Sequence, residues 1–234
     1  EKSGKISGEI NQLLGTKKTD DFDNLIEYVG ADGKYISLTK SVRIEYPDEK
    51  LKNVEIVDTP GFNDPVVSRE ERTKDFLKKA DVVVMLLYAG RAFDATDKDI
   101  IFNKVRSVGV GKILVGVNKY DINYMQGDTE QEIINNVKEQ LLKASEEHVN
   151  SSISQLIKDQ TPLLLSANMA LMSQMDLSKV INGDLSYYYN KALSDFEIST
   201  QNEMFQKSHM AKFEEAIREV IFKSKDEILI RKPI

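Results

Sequence analysis

The 234-residue sequence has no cysteine, no excess of positive charge and no long run of apolar residues. Without cysteine, disulfide bonds and thiolate metal sites are excluded, and with no visible signal peptide this predicts a cytoplasmic location. The formal net charge of −6 argues against nucleic acid as the main partner, because binding a phosphate backbone usually requires a basic face. No stretch approaches the ~18 apolar residues of a membrane span, so we expect no bilayer crossing here.

The sequence does contain apolar strand patterns that alternate with helix patterns. Apolar runs at 81–89, 112–118 and 161–165 predict buried strands with helices between them. Strands that are hydrophobic throughout are typical of parallel sheets covered on both faces, so we predict an α/β fold with a mostly parallel sheet. Two earlier segments, 41–47 and 54–61, have strand patterns that predict a hairpin. Ligands of such sheets bind beyond the C-terminal ends of the strands.

The first residues partly match a phosphate-binding loop. Such a loop has Gly, four residues, then Gly-Lys-Ser/Thr opening a helix, because backbone N–H groups wrap a phosphate while the lysine adds positive charge. Gly4 and Lys5 match this pattern, Ser3 precedes them in the loop, and Ile6 stands where a metal-binding hydroxyl belongs. The first glycine of the pattern would precede Glu1, so we expect the sequence to begin inside a domain. A flexible basic N-terminus is the alternative.

A second motif, Asp-Thr-Pro-Gly, comes after the predicted strand that ends near residue 57. At this strand end, Asp58 is placed to hold Mg²⁺ through water, and the Gly61 N–H is placed to sense a γ-phosphate. Four residues of this kind also occur by chance in turns, so the motif gains weight only in combination with motifs at the ends of later strands.

Two later motifs predict recognition of a base. In "NKYD", we expect Asn118 to brace the loop, the Lys119 stem to cover a base, and the Asp121 carboxylate to pair with two N–H groups of guanine. A carboxylate only accepts hydrogen bonds, so guanine fits it and adenine does not. The third strand ends in "SAN" (Ser166, Ala167 and Asn168), which places the Ala167 N–H to donate to guanine O6. Order, spacing and strand-end positions together predict a guanine-nucleotide site, against a coincidental Rossmann-like domain.

In this order, Lys5 and the three motifs resemble those of the Ras-like GTPase superfamily. Within it, "SGKISGEINQLLG" and "VDTPGFNDPVVSREERTKDFLKKADVVVMLL" are similar to stretches of bacterial dynamin-like large GTPases of the LeoA type. The resemblance implies a P-loop GTPase domain over 1–168 and a helical extension over 169–234 that leads towards a stalk. It also implies GTP as substrate, GDP as product, Mg²⁺ as cofactor and self-association through the nucleotide face. Membrane contact would come from regions outside this chain, making the full protein peripheral to a membrane.

The phosphate loop departs from the family pattern by one residue. Between Lys5 and the Asn of "INQLLG" this chain has one residue more, so Ser7 takes the Mg²⁺-ligand position with Ile6 as an insertion. The alternative is a distorted loop that binds metal poorly.

The metal ligand from switch I is also ambiguous. Thr16 and Thr19 come after the first predicted helix, whereas Thr39 directly precedes a strand pattern, as the dynamin-like threonine does. The prediction favours Thr39 as the third metal ligand beside Ser7 and Asp58.

The sequence lacks the glutamine that positions the attacking water in small GTPases, because Phe62 stands at that position. The resemblance implies that a phosphate loop, a monovalent cation and a partner domain replace it, with Lys5 as the catalytic residue that stabilises phosphoryl charge. Two rivals remain: a nucleotide-sensing domain with little hydrolysis, which Ile6 and Phe62 favour, and a monomeric GTPase of the ribosome or transport type. His209, near a helix start, is expected to be exposed.

Overall fold

The computed structural model describes residues 10–52, 54–59, 75–105, 112–149 and 151–223, and it divides the chain into two compact units, 1–57 and 58–234. The helices and strands are α1 (Ile10–Leu13), α2 (Ile26–Val29), β1 (Val82–Tyr88), α3 (Ala95–Asp99), β2 (Lys112–Asn118), α4 (Tyr120–Met125), α5 (Glu130–Glu147), α6 (Ser152–Lys158), β3 (Leu163–Leu165), α7 (Ala167–Gln174), α8 (Leu177–Asn182), α9 (Ser186–Asp195), α10 (Gln201–Lys207) and α11 (Met210–Lys223). Short 3₁₀ turns lie at Phe22–Asn24, Glu49–Leu51 and Ala89–Arg91, and a π-helical turn, Ile100–Val105, continues α3. None of the helices in these ranges is both long enough and apolar enough to cross a membrane.

The first unit is held mainly by local polar contacts in its described part, where no apolar side chain is buried. Helix α1 ends before Gly15, whose φ of +75° is the left-handed conformation that glycine adopts at helix ends. The Asp20 carboxylate accepts hydrogen bonds from Asn24 Nδ2 at 2.7 Å and from the Tyr28 hydroxyl at 2.5 Å. The Lys18 ammonium pairs with the same carboxylate at 2.9 Å.

The hairpin predicted for 41–47 and 54–61 is not observed. Residues 41–47 and 54–59 join no β-ladder, while 60 and 61 lie outside the described residues. Ile44, Tyr46 and Ile56 are 53%, 70% and 72% exposed. Alternating polarity produces a strand only where a partner takes up the backbone N–H and C=O groups and a core covers the apolar face. The described residues supply neither for these segments.

The second unit contains the predicted parallel sheet, which is confirmed. Its strands lie in the order β1-β2-β3, and both pairs are parallel. The longest crossover helix, α5, begins with a capping box in which Thr129 and Glu132 satisfy each other's backbone N–H groups. Its residues Ile133, Val137 and Leu141 recur every four positions and are buried. This spacing forms one apolar stripe, which faces the core.

One face of the sheet and the helices after residue 168 share a single hydrophobic core. The sheet contributes Leu87, Val115 and Val117. The helices α7 to α10 contribute Met169, Met172, Val180, Ala192 and Met204. The segment after the third strand therefore belongs to the same hydrophobic core as the sheet.

On the other face of the sheet, α11 covers β2 and β3, whereas Val84, Leu86 and Tyr88 of β1 remain exposed. Phe213 packs there against Leu114 and Leu165. A Cβ added at Gly116 would lie 2.8 Å from Leu86 Cδ2 and 2.8 Å from Phe213 Cε2, well inside van der Waals contact. The absence of a side chain at Gly116 therefore lets α11 approach β2 closely, and helices lie on both sides of the sheet as predicted.

Candidate nucleotide-binding site

The sequence motifs after β2 and β3 meet at one edge of the sheet. Asn118 is the last residue of β2, and it pairs in register with Leu165, the last residue of β3. The next residues along the chain, Lys119 to Asp121 and Ser166 to Asn168, therefore lie side by side beyond the C-terminal ends of two neighbouring parallel strands. This is the place where open parallel sheets bind ligands.

The Asn118 side chain joins the two loops. Its Oδ1 accepts hydrogen bonds from the backbone N–H groups of Lys119 at 2.8 Å and Ala167 at 3.1 Å. The sequence predicted that the Ala167 N–H donates to a base, so in this structure that donor is already engaged and would have to be shared or released.

Lys119 has an unusual backbone conformation between β2 and α4. Its φ of 62° and ψ of 30° are left-handed, which costs an L residue roughly 1–2 kcal/mol. Its ammonium group lies 5.5 Å from the centre of the Tyr88 ring, at the end of β1. The packing around Asn118 thus holds a strained residue at the edge of the candidate site, as is common at ligand sites.

Asp121 carries a carboxyl group that is buried within the candidate site. It lies in the first turn of α4 and is only 7% exposed. Burial raises the pKa of its carboxyl above the ordinary value, while a hydrogen bond from the Ser166 hydroxyl and the charge of Lys119 act in the opposite direction. Its Oδ1 is buried and has no hydrogen-bond partner within the part of the chain that the structure describes. A buried carboxylate oxygen without a donor is costly, so the geometry fits a ligand that brings N–H groups to it.

Ser166 connects this carboxylate to the start of α7. It is fully buried, and its hydroxyl oxygen accepts a hydrogen bond from the Met169 N–H at 3.2 Å, which caps the helix. Asn168, one residue into the same helix beyond Ala167, is partly buried. The cap and the bond to Asp121 fix the loop after β3 relative to the loop after β2.

A set of supporting residues was missed from the sequence. Tyr120, the variable position of "NKYD", is fully buried, and its hydroxyl donates to the Lys207 carbonyl. The prediction that His209 is exposed is wrong: its side chain is 13% exposed and pairs with Glu130 at 3.0 Å. A separation of 79 positions hides this contact from any local pattern. The one local feature that could have indicated this support was Tyr120, an aromatic residue within the polar motif "NKYD".

The residues predicted to bind phosphate lie largely outside the described residues. These are Ser3, Gly4, Lys5, Ile6, Ser7 and Gly61. Asp58 is described and exposed. Thr39 belongs to the first unit, where its hydroxyl donates to the Tyr35 carbonyl at 2.9 Å. Thr16 likewise donates to the Leu13 carbonyl, at 2.7 Å.

The fit of Mg²⁺ to the predicted ligands therefore depends on Asp58. An exposed carboxylate is a suitable ligand for this hard cation, and the Thr39 hydroxyl, which donates its proton to the Tyr35 carbonyl, retains oxygen lone pairs for a metal. The described ranges contain no group of three or more acidic or histidine side chains able to hold a metal ion by themselves. A metal here would accordingly need ligands from elsewhere, such as nucleotide phosphates.

Comparison with known proteins assigns this arrangement to a class. Residues 2–121 match the Dynamin family, and the chain belongs to it. The chain is thus a dynamin-like GTPase domain with the α/β fold described above. It is 32% identical over 99 residues to Dynamin-like protein 1 of Campylobacter jejuni, covering 42% of this chain and 14% of that protein.

Two further relatives have names that indicate different functions. The chain is 33% identical over 113 residues to the probable transmembrane GTPase FZO-like, chloroplastic, of Arabidopsis thaliana, covering 48% of this chain and 11% of the relative. It is 25% identical over 175 residues to the tRNA modification GTPase MnmE of Lactobacillus acidophilus, covering 73% of this chain and 34% of the relative. The matched regions are thus about a third or less of each relative's length. No solved structure matches the chain.

Proposed function

We propose that this chain binds GTP and GDP at the loops after β2 and β3. The Asp121 carboxylate accepts from the N1–H and 2-amino groups of guanine, while the Ala167 N–H donates to O6. The Lys119 stem covers the base, and Asn118, Ser166 and Asn168 hold the two loops in place. The observation that supports this most is the buried Asp121 oxygen, which has no donor within the described ranges.

Calorimetry with GDP, GTP and ATP tests the base specificity. Hydrogen bonds to a charged group contribute about 1.5–3 kcal/mol each, and sites built on such pairs reject analogues by ~10⁴ or more. GDP and GTP are expected to compete for one site that ATP does not enter. Asp121→Asn is expected to weaken GDP binding and to admit the xanthine analogue, whose extra carbonyl suits an amide donor. Equal affinity for ATP and GTP would refute the proposed site.

The phosphate side of the proposal involves the opening residues. Backbone N–H groups from Ser3 to Ser7 wrap the phosphates, Lys5 contacts their oxygens, and Ser7, Asp58 and Thr39 are the proposed protein ligands of Mg²⁺. When bound, Mg²⁺ neutralises charge on the phosphate oxygens. Thr39 can bind Mg²⁺ through a lone pair of its hydroxyl oxygen while its proton is donated to the Tyr35 carbonyl.

Hydrolysis is proposed to be slow in the isolated chain and to be stimulated by self-association through the nucleotide face. Phe62 offers no group to orient water, and a group supplied by a partner can raise the rate by ~10³ to 10⁵. Specific activity should therefore rise with protein concentration. A fast rate that does not depend on concentration would favour the monomeric GTPase instead.

The second candidate function is nucleotide sensing with little hydrolysis, which Ile6 and Phe62 favour. Single-turnover hydrolysis at high protein concentration distinguishes the two functions. A single-turnover rate no faster than the uncatalysed reaction, with tight GTP binding, would support sensing.

In the full protein we propose a role in membrane remodelling, with residues 1–168 as the GTPase domain and 169–234 as an extension towards a stalk. The proposal draws on relatives named dynamin-like and transmembrane, of which this chain covers 14% and 11%. Membrane contact is assigned to regions outside this chain, with the GTPase domain on the cytoplasmic side. Flotation with anionic liposomes should recover the full protein but not this chain, and tight flotation of this chain alone would contradict the assignment.

A further inference from the structure

The turn between α10 and α11, residues 207–209, contacts both base-recognition loops. The Lys207 carbonyl accepts the hydrogen bond from the Tyr120 hydroxyl, in the loop after β2. The Ser208 carbonyl accepts a hydrogen bond from the Ser166 N–H at 2.9 Å, in the loop after β3. One short segment, more than 40 positions away in sequence, thus holds the residues beside Asp121 and Ala167.

His209 adds a third contact from the same turn. Its ring centre lies 5.1 Å from that of Tyr120, and its Nε2 lies 3.0 Å from Glu130 Oε1, at the start of α5. The backbone of His209 has a φ of 56°, a left-handed conformation that is unfavourable for a residue with a side chain. The packing of the ring and the pairing with Glu130 offset this strain, as expected where a position is fixed by its surroundings.

The turn is itself fixed from both sides. The Ser208 N–H donates to the Met204 carbonyl at 2.9 Å and ends α10, while the His209 carbonyl accepts from the Phe213 N–H at 3.1 Å and begins α11. Phe213 is 6% exposed and packs on the sheet. The turn is therefore held firmly in place, because it joins α10, which contributes Met204 to the main core, to α11, which packs on the other face of the sheet.

We propose that Tyr120 and His209 are positioning residues for guanine specificity. Through the 207–209 turn they hold the first turn of α4, so that the Asp121 carboxylate meets two N–H groups of guanine at once. The proposal rests on the proposed function, because it assumes that Asp121 is the guanine acceptor. Neither residue contacts the base; each acts on the backbone that carries Asp121.

The affinity ratio between GDP and IDP tests this directly. IDP lacks the 2-amino group and gives Asp121 one hydrogen bond instead of two, and one bond to a charged group corresponds to about a ten- to hundred-fold difference in affinity. Both dissociation constants are measured by calorimetry for the unaltered chain, Tyr120→Phe and His209→Gly. Tyr120→Phe removes one oxygen and keeps the ring. His209→Gly removes the ring and suits the left-handed backbone.

Both variants are expected to lower the preference for GDP over IDP at least about three-fold. A displaced carboxylate can still make the single hydrogen bond to IDP but can no longer make both hydrogen bonds to GDP. His209→Gln, which retains a donor towards Glu130, should recover part of the preference. A general loss of stability would weaken both ligands alike and leave the ratio unchanged. The matched control is His148→Ala, which removes a histidine stacked on Phe102 with ring centres 4.0 Å apart. It lies just past α5 at the end opposite Glu130, about 25 Å away along the helix.

The outcomes separate the two proposals. If the unaltered chain binds neither GDP nor GTP, the proposed function fails. If it binds GDP and IDP equally, the assignment of Asp121 fails. If it prefers GDP and both folded variants keep that preference, the positioning role of Tyr120 and His209 is overturned while the proposed function stands.

Discussion

Replacing Asp121 with asparagine is expected to stabilise the nucleotide-free domain at neutral pH, although it removes the proposed guanine acceptor. The carboxylate is 7% exposed, and its Oδ1 lacks a donor within the described residues. Asparagine has nearly the same shape, carries no charge and can still accept the hydrogen bond from the Ser166 hydroxyl. Leaving a buried polar atom unpaired costs about 1–3 kcal/mol, and more when the group is charged.

The dependence on pH is set by the direction of the pKa shift. Burial raises the pKa of Asp121 in the folded chain above the ordinary value of 3.8. A raised pKa of an acid means that folding favours the protonated form, so this contribution is fully present below pH 3.8 and is lost as the pH rises through the folded pKa. The benefit of Asp121→Asn should therefore be largest at neutral pH and smallest near pH 4.

Thermal unfolding followed by circular dichroism, without nucleotide, measures this effect. The substitution recovers only part of the cost of the unpaired carboxylate, because the new amide is also buried. We therefore expect the free energy of unfolding to rise by about 1 kcal/mol at pH 7.5. In a domain of this size that raises Tm by about 2–4 °C. Asp184→Asn, which removes the charge of an exposed residue, is the control and should change Tm little. GDP at a concentration that saturates the unaltered chain should raise the Tm of that chain more than the Tm of Asp121→Asn. A fall of several degrees in the free variant would show that the Asp121 carboxylate stabilises the fold and would refute the reasoning.

Five other substitutions test the fold and the phosphate side. Phe213→Ala should lower the free energy of unfolding in urea by about 3–5 kcal/mol, because it removes the aromatic contact of α11 with the sheet, and a loss below about 1 kcal/mol would contradict that packing. Gly116→Val should cost about 1–3 kcal/mol in the same assay by overpacking the α11 contact, and an unchanged urea midpoint would argue against the close approach. Lys5→Ala should abolish GTP hydrolysis, whereas hydrolysis at the parent rate would exclude a phosphate loop at the start of the chain. Ser7→Ala alone should reduce Mg²⁺-dependent hydrolysis if Ile6 is an insertion, whereas a gain in activity in Ile6→Ser would support the distorted loop.

The parallel sheet could be predicted from the sequence because its strands are rich in apolar residues and are separated by helix patterns. The runs at 82–88, 112–118 and 163–165 are mostly apolar, with Lys112 and Asn118 only at the two ends of the second run, and the structure has strands at these positions. The segments at 41–47 and 54–59 have equally good local patterns but form no strand. Neither an alternating pattern, as at 41–47, nor an apolar run, as at 54–59, reports whether a partner strand is present, so the two cases look alike in the sequence.

The base loops could be predicted for a similar reason, whereas their support could not. Asn118 and Asp121 lie at fixed offsets from a strand end, and this offset alone brings them to the edge of the sheet. The contacts of Tyr120 with Lys207 and of His209 with Glu130 join positions 87 and 79 apart. No short-range pattern encodes such pairs, since they arise only once the helices have packed.

The core that the sheet shares with helices α7 to α10 limits how this protein can be divided. Val180, Ala192 and Met204 are each fully buried in that core. A chain cut after Asn168 would retain every base-recognition residue yet would remove these side chains from the core that also contains Val115, Val117 and Tyr120. A chimaera of two related proteins should therefore fold only if residues 169–213 and the strands of the sheet come from the same parent.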